Sequence, residues 1–347
     1  QQRLWAIDKF EGGSAHYNMS FALRVAGSFN VDKAEAAFIA LLERHEILRT
    51  VYGSEEGVAY QRVLAELDWA ISRRDISALA NAAQEQAIQE AVDAEAAKAF
   101  DLSQDVMLRV SWLQCDAANG AGVLLLTIHH IASDGWSMNV LVNEFSTLYE
   151  SLVAGQQESL PALPCQYLDY SLWQRNKLQG ETLASLKNYW KNQLLGAPAL
   201  HQLPLDFPRP AMPSHQGAVV SATLPAEVVT QLKRLAKQHD MTPFMVIHTV
   251  LSVVLSRYGQ SSDVVVGTPV AGRLHESLEG LIGFFVNTLV LRVDCAQADN
   301  IEGLLSHVKQ VNLDAHAHQE LPFEEVVELL NVPRTIALTP LFQIMLT

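Results

Sequence analysis

His129 and His130 stand side by side, and Asp134, Gly135 and Ser137 follow in the run His129-His130-Ile131-Ala132-Ser133-Asp134-Gly135-Trp136-Ser137. An imidazole accepts a proton near neutral pH, so a histidine held in such a cluster suits general-base work. Adjacent residues of a strand point to opposite faces, so the two rings cannot share one cavity. One faces the reacting groups and the other is packed or hydrogen-bonded as structure. Asp134 can form a buried ion pair that shapes the loop. Gly135 permits a sharp turn or a close backbone approach, and Ser137 can cap the next helix. A metal site fails on spacing, because neighbouring histidines diverge and HExxH is absent. G-x-S-x-G is also missing and no cysteine lies beside a histidine, so no Ser or Cys nucleophile is marked. A lone His-His pair at a strand end is usually an unrelated pair beside turn formers. Here a buried strand, a polar cluster and a glycine coincide, which favours function.

The surrounding elements explain how such a cluster would be held. Val123 to Ile128 is a continuous apolar run, the pattern of a central strand buried on both faces. Met138 to Leu152 carries Leu141, Phe145, Leu148, Tyr149 and Leu152 at helical spacing, with Gly155 just past its end. The polar cluster therefore sits where a strand hands over to a helix, a common place for chemistry in mixed sheets. Upstream, Ser20 to Val25 reads as a strand. Ala34, Ala37, Phe38, Leu41 and Leu42 form one face of a helix opened by Asp32, and a second helix falls within Ala80 to Ala99. One helix fits Leu183 to Leu195. The proline-rich stretch Leu203 to Pro210 excludes regular structure and marks a lobe boundary.

The second half repeats the grammar. Ala218 to Leu224 reads as a strand, Pro225 to His239 as a helix, and Thr242-Pro243 as the cap of a helix from Phe244 to Arg257. Asp263 to Pro269 is a further strand ending in Ala271-Gly272-Arg273. Asn300 to His318 and Pro322 to Leu330 are helices. The fold class expected is α/β (α+β), with lobes at 1–205 and 206–347, each a mixed sheet backed by helices, and a cleft between them.

Composition narrows the function classes. The chain has 347 residues, of which 49% are hydrophobic and 18% charged, enough apolar content for a large core. Its formal charge of −14 repels phosphate backbones, which argues against a nucleic-acid partner. Three widely spaced cysteines without CxxC argue against a disulfide framework and for a reducing, cytoplasmic setting. No apolar run approaches the ~20 residues that span a bilayer, so no membrane role is expected. Without an initiator Met or a signal peptide before Gln1, the chain reads as a piece of a longer polypeptide.

These residues carry a resemblance. The chain resembles the condensation domain of nonribosomal peptide synthetases, whose HHxxxDG signature matches His129 to Gly135. Gln2-Arg3-Leu4-Trp5 is similar to the end of the family's opening motif, Arg44 to Thr50 to its second, and Tyr167 to Arg175 to its fourth. Ile282 to Thr288, continuing to Leu291-Arg292, resembles the fifth, and His318 to Glu324 and Pro340 to Gln343 the last two. Seven motifs in order are far more specific than HHxxxDG alone. On residue chemistry, Arg44 to Thr50 reads as a helix end with local ion pairing, and Trp173 and Phe323 as core anchors. Asn287 is either a plain strand-end residue or one that orients a substrate carbonyl.

The resemblance implies two chloramphenicol-acetyltransferase-like lobes in a V, with a tunnel reaching His130 from both faces. Its substrates would be thioesters on the 4'-phosphopantetheine arms of upstream and downstream carrier domains, with an adenylation domain adjacent in the same polypeptide and no cofactor bound by the domain itself. The downstream aminoacyl amine would attack the upstream acyl or peptidyl thioester. By position, His130 becomes the base or amine-positioning group and His129 structural. Asp134 is ion-paired with Arg273, while Gly135 and Ser137 line the site. Thr339 precedes Pro340 where some family members carry an asparagine that makes an oxyanion contact. The chain begins inside the first motif and ends just after the seventh, which leaves the second lobe apparently truncated. An epimerisation domain, a free-standing acyltransferase using a soluble thioester, and a non-catalytic recruitment module of the same fold are the competing readings.

Overall fold

The computed structural model describes residues 1–156, 160–210, 217–332 and 338–347. The chain divides into two compact units. The first comprises Gln1–Arg175 and Arg273–Phe285, and the second Asn176–Gly272 and Val286–Thr347.

The first unit runs α1 (Gln2–Glu11), β1 (Asn18–Val25), α2 (Val31–Arg44), β2 (Thr50–Glu55), β3 (Val58–Val63), β4 (Ser72–Asp75), α3 (Asn81–Ala97), β5 (Leu108–Asp116), β6 (Ala121–His129) and α4 (Gly135–Ala154). Helix α5 (Tyr167–Lys177) closes it. Strands β1, β6, β5 and β4 form one sheet in that order, antiparallel except for the β4–β5 pair, and β2 and β3 form a hairpin. The apolar run of β6 places it centrally, since every residue from Gly122 to His129 is buried. Period-two alternation then divides its side chains between two layers. Leu124, Leu126 and Ile128 join the main core with Phe38, Leu41 and Leu42 of α2, while Val123 and Leu125 pack against Ile88 of α3. Phe38 is 1% exposed, and truncating such a ring to alanine costs about 3–5 kcal/mol. Helix α4 starts on Asp134 and ends at Gly155, whose φ of 68° is the left-handed conformation that glycine tolerates.

The second unit contains α6 (Gly180–Leu194), α7 (Ala226–Gln238), α8 (Pro243–Gly259), β7 (Asp263–Val270), β8 (Asn287–Asp294), α9 (Ile301–Ala317) and α10 (Phe323–Leu329). Strands β7 and β8 pair antiparallel from Asp263↔Asp294 to Val270↔Asn287. Leu289, Leu291 and Val293 of β8 pack with Trp190 of α6, Val308 and Val311 of α9, and Phe323 of α10. Of the connection between β7 and β8, Arg273–Phe285 belongs to the first unit.

Several expectations differ from the structure. Ala218 to Leu224 is not a strand. It pairs with no described strand, and Val219 and Val220 are 92% and 95% exposed; β-propensity without a partner does not make a sheet. The expected boundary at 205/206 falls inside the second unit, because α6 contributes Trp190 to that unit's core. Trp173 is 46% exposed and not a core anchor, whereas Phe323 is buried. Of the charges expected to pair locally, Arg49 lies 3.6 Å from Glu46, but Arg44 bonds the distant Glu144, which also bonds His45 Nε2 at 2.7 Å.

Candidate active site

Strand β6 delivers the two histidines into different environments. His129 is fully buried, and its Nδ1 accepts a hydrogen bond from the Ile131 N–H at 3.1 Å. Its ring meets Phe100 edge-on at 5.7 Å. Burial, aided by the neighbouring His130 and Arg109 charges, pulls its pKa from 6.5 down to about 4. His129 is therefore a neutral packed ring at pH 7.

His130 sits one residue past the strand, where its backbone N–H donates to Tyr17 O at 2.8 Å. The chain turns back at Ser133, placing that carbonyl 2.8 Å from His130 Nδ1. A carbonyl only accepts, so Nδ1 carries a proton, and in the neutral imidazole the lone pair is then on Nε2. No described residue bonds Nε2, and the ring is partly exposed. The arrangement presents a base to whatever binds in front of it. Phe284 packs against this ring edge-to-face, with centroids 5.3 Å apart and planes at 89°.

Asp134 organises the turn rather than facing outward. It is 3% exposed and caps α4, accepting from Ser137 N at 2.8 Å and lying 2.7 Å from Ser137 Oγ. Its Oδ1 also receives Arg273 Nη2 at 3.3 Å, and Oδ2 receives Phe285 N–H at 2.9 Å. Arg273 is buried beside it, with side-chain exposures of 2% and 4% for the pair. Its guanidinium donates to Ser137 Oγ at 2.7 Å, to Leu281 O at 2.8 Å and to Leu278 O, and lies 4.1 Å from the Phe285 ring. Burial lowers the arginine's pKa and the Asp134 charge opposes that shift. Ser137 completes the junction, its Oγ lying 3.0 Å from Gly283 N and 2.9 Å from Gly283 O.

The remaining expected residues are placed differently. Gly135 has no left-handed φ, and a Cβ there would meet nothing within 4 Å. The turn therefore does not need glycine, and the space in front of it is open. Asn287 gives both amide protons to Gln319 O and Leu321 O, each at 2.8 Å, and accepts from Phe323 N–H at 3.0 Å. It braces the start of β8 and has no donor left for a substrate carbonyl. Thr339 is exposed in the second unit, where its carbonyl accepts from Gln343 Nε2 at 3.2 Å. The role of the loop around Gly283, and that of Tyr167, were missed from sequence. Both lie in matched motifs, but contact across more than a hundred residues left no local signal.

The three thiols are unpaired, and burial pushes each above the usual cysteine range, away from thiolate character. Among the described residues no three His, Cys, Asp or Glu side chains converge on a metal position. No single described helix is long and apolar enough to cross a membrane.

A second buried histidine behaves like His129. His248, on α8, is bonded through Nδ1 to Asn312 Nδ2 at 3.0 Å, and burial takes its pKa to about 4. Between about pH 6.5 and 4 the unfolded chain binds protons that these two folded rings refuse. Stability therefore falls as pH drops through that window, by up to about 1.4 kcal/mol per pH unit for each histidine. Urea unfolding across pH 4–7 should show this slope, and it should be one proton shallower in His129→Asn. An unchanged slope would contradict the assignment of His129 as neutral.

Comparison with known proteins agrees with this geometry. The condensation domain family model matches residues 1–347, and the chain belongs to that family. It is 43% identical over 346 residues to a linear gramicidin synthase polypeptide of Brevibacillus parabrevis and 41% identical over 345 residues to the malpinin synthetase of Mortierella alpina, covering 99% of this chain in each case. It is 38% identical to the phosphinothricin tripeptide synthetase PhsC of Streptomyces viridochromogenes, again over 99% of this chain. It is thus a condensation domain of the nonribosomal peptide synthetase type. The chain spans 4% of the gramicidin synthase polypeptide, 4% of the malpinin synthetase and 32% of the tripeptide synthetase. Among solved structures, the X-domain from teicoplanin biosynthesis superposes with TM-score 0.85 at 26% identity, covering 99% of this chain and 75% of that one. A four-domain nonribosomal peptide synthetase bound to AMP and glycine gives 0.84 at 27% identity, covering 99% and 25%. The fold class is accordingly the expected mixed α/β one, of the chloramphenicol-acetyltransferase-like kind.

Proposed function

We propose that this chain catalyses amide-bond formation between two substrates, each a thioester on the phosphopantetheine arm of a carrier domain. The observation that carries the reading is the tautomer of His130, with Nδ1–H held by Ser133 O and Nε2 open, in a chain matching the condensation family throughout. The acceptor's amine nitrogen attacks the donor's thioester carbonyl. The C–N bond forms, the C–S bond breaks, and the proton lost by the amine passes by way of His130 Nε2 to the departing sulfur. Products are the extended amide on the downstream arm and a free thiol upstream.

An α-amino group has a pKa of about 7.7–8.0, so a useful neutral fraction exists at pH 7. Positioning two tethered reactants supplies most of the acceleration, and proton transfer adds about 10²–10⁴-fold. Gly135, with open space before its Cα, lines the approach; Asp134, Arg273 and Ser137 hold the turn that aims His130. Thr339 is proposed as a hydroxyl donor to the substrate carbonyl. The partners in this reading are the upstream and downstream carrier domains and an adjacent adenylation domain, acting in the cytoplasm.

Carrier dependence distinguishes this reading from a soluble-thioester acyltransferase. If binding energy from the non-reacting carrier helps to position the reacting atoms, kcat/KM for a carrier-bound acceptor should exceed that for a short pantetheine analogue by at least about 10²-fold. Equal values for the two would rule out the carrier-dependent role.

A further inference from the structure

We infer that Phe284 is a positioning residue that fixes the ring of His130, and that Tyr167 and Gly283 exist at their positions to hold Phe284 in place; this rests on the amide-forming reading above. His130 is anchored at one atom only, Nδ1, which leaves the ring free to rock about that hydrogen bond. The perpendicular edge-to-face contact with Phe284 removes that freedom, because the quadrupoles of two rings favour this arrangement.

Phe284 is itself clamped along its backbone. Its carbonyl accepts from Tyr167 Oη at 2.7 Å. The residue before it bonds Ser137 Oγ through its N–H, and the residue after it gives its N–H to Asp134. Tyr167 reaches that carbonyl only because position 283 lacks a side chain. A Cβ at Gly283 would lie 2.1 Å from Tyr167 Cδ2 and 2.8 Å from Phe285 Cε2, closer than real contacts allow. Buried Tyr167 rests against Phe285 with ring centroids 5.0 Å apart, so the clamp has little slack. Hydrogen bonds and close packing hold the backbone of a residue whose own ring is partly buried against the first unit's core and meets His130 edge-to-face.

The test uses the full-length polypeptide with both carriers loaded. Phe284→Leu keeps apolar volume but removes the ring edge. It should lower kcat about ten-fold or more with KM changed less than two-fold, since misaimed groups lose rate rather than affinity. Phe284→Tyr, which restores the edge, should recover kcat to within about three-fold. Tyr167→Phe keeps the ring against Gly283 and should lower kcat in the same direction.

A second arm is independent of turnover. Diethyl pyrocarbonate labelling, located by peptide mass, should modify His130 several-fold faster in Phe284→Leu while exposed His316 stays unchanged. If the polypeptide forms no amide bond at all but this labelling change appears, the reaction reading falls and the positioning stands. Wild-type kcat together with unchanged His130 labelling in Phe284→Leu would overturn the positioning role.

Discussion

Replacing His130 by alanine in the full-length polypeptide should lower the proposed dipeptide formation by about 10²–10⁴-fold while leaving the fold intact. The loss is kinetic because the ring contributes little to folding. It is partly exposed, lies beyond the end of β6, and makes one side-chain hydrogen bond, to Ser133 O. Removing it opens no large cavity in the core, which is built from the preceding residues Leu124, Leu126 and Ile128. Circular dichroism and melting temperature should match the parent, so the two effects can be read separately. His129→Ala should behave in the opposite sense. It empties a fully buried site against Phe100 and therefore lowers stability first. Parental product yield from a well-folded His130→Ala variant would remove this residue from the chemistry.

Asp134→Ala is the change expected to damage stability most. The carboxylate serves Ser137 N, Arg273 Nη2 and Phe285 N–H, and lies within 2.7 Å of Ser137 Oγ. Its removal strands the Arg273 guanidinium, 2% exposed, without a counter-charge. Breaking one side of a buried pair costs about 3–5 kcal/mol. It also uncaps α4 and loosens the segment carrying Phe284, so activity and stability should fall together. Arg273→Met strands the Asp134 carboxylate in turn, but Ser137 N and Phe285 N–H still bond it, so its cost should be smaller. The double variant should cost less than the sum of the two singles. Thermal unfolding and turnover measured on the same preparations decide the matter. A variant as stable as the parent yet inactive would instead place the Asp134 carboxylate in the chemistry.

How far these residues were legible in the sequence follows from the range of the forces involved. The strand before His129 was visible because a strand buried on both faces must be apolar throughout, and β6 is. The helix after it was visible from its spacing and from Gly155. Helices α7, α8 and α9 were found from the same periodicity and from the Thr242-Pro243 cap, whose hydroxyl accepts from Met245 N–H at 3.2 Å. Strand β5 went unread although Leu108, Val110 and Trp112 alternate inward, because Arg109 and Ser111 broke the apolar run. Arg273 as partner of Asp134 followed from the family resemblance, not from local pattern. What local sequence could not hold was the return of Arg273–Phe285 to the first unit, bonding residues about 140 positions away. The bracing by Asn287 was equally out of reach, since its three backbone partners lie more than thirty residues downstream.

Intact-mass spectrometry of both carrier proteins decides whether the proposed acyl transfer from one carrier to the other takes place. An acyl-loaded upstream carrier and an aminoacyl-loaded downstream carrier are mixed with the full-length polypeptide and weighed over time. The upstream carrier should fall to its free-thiol mass while the downstream carrier gains the mass of the acyl group, in equal amounts, and His130→Ala should suppress both changes. A downstream carrier that keeps its starting mass, whether the upstream residue is untouched or has merely been inverted, would contradict the transfer.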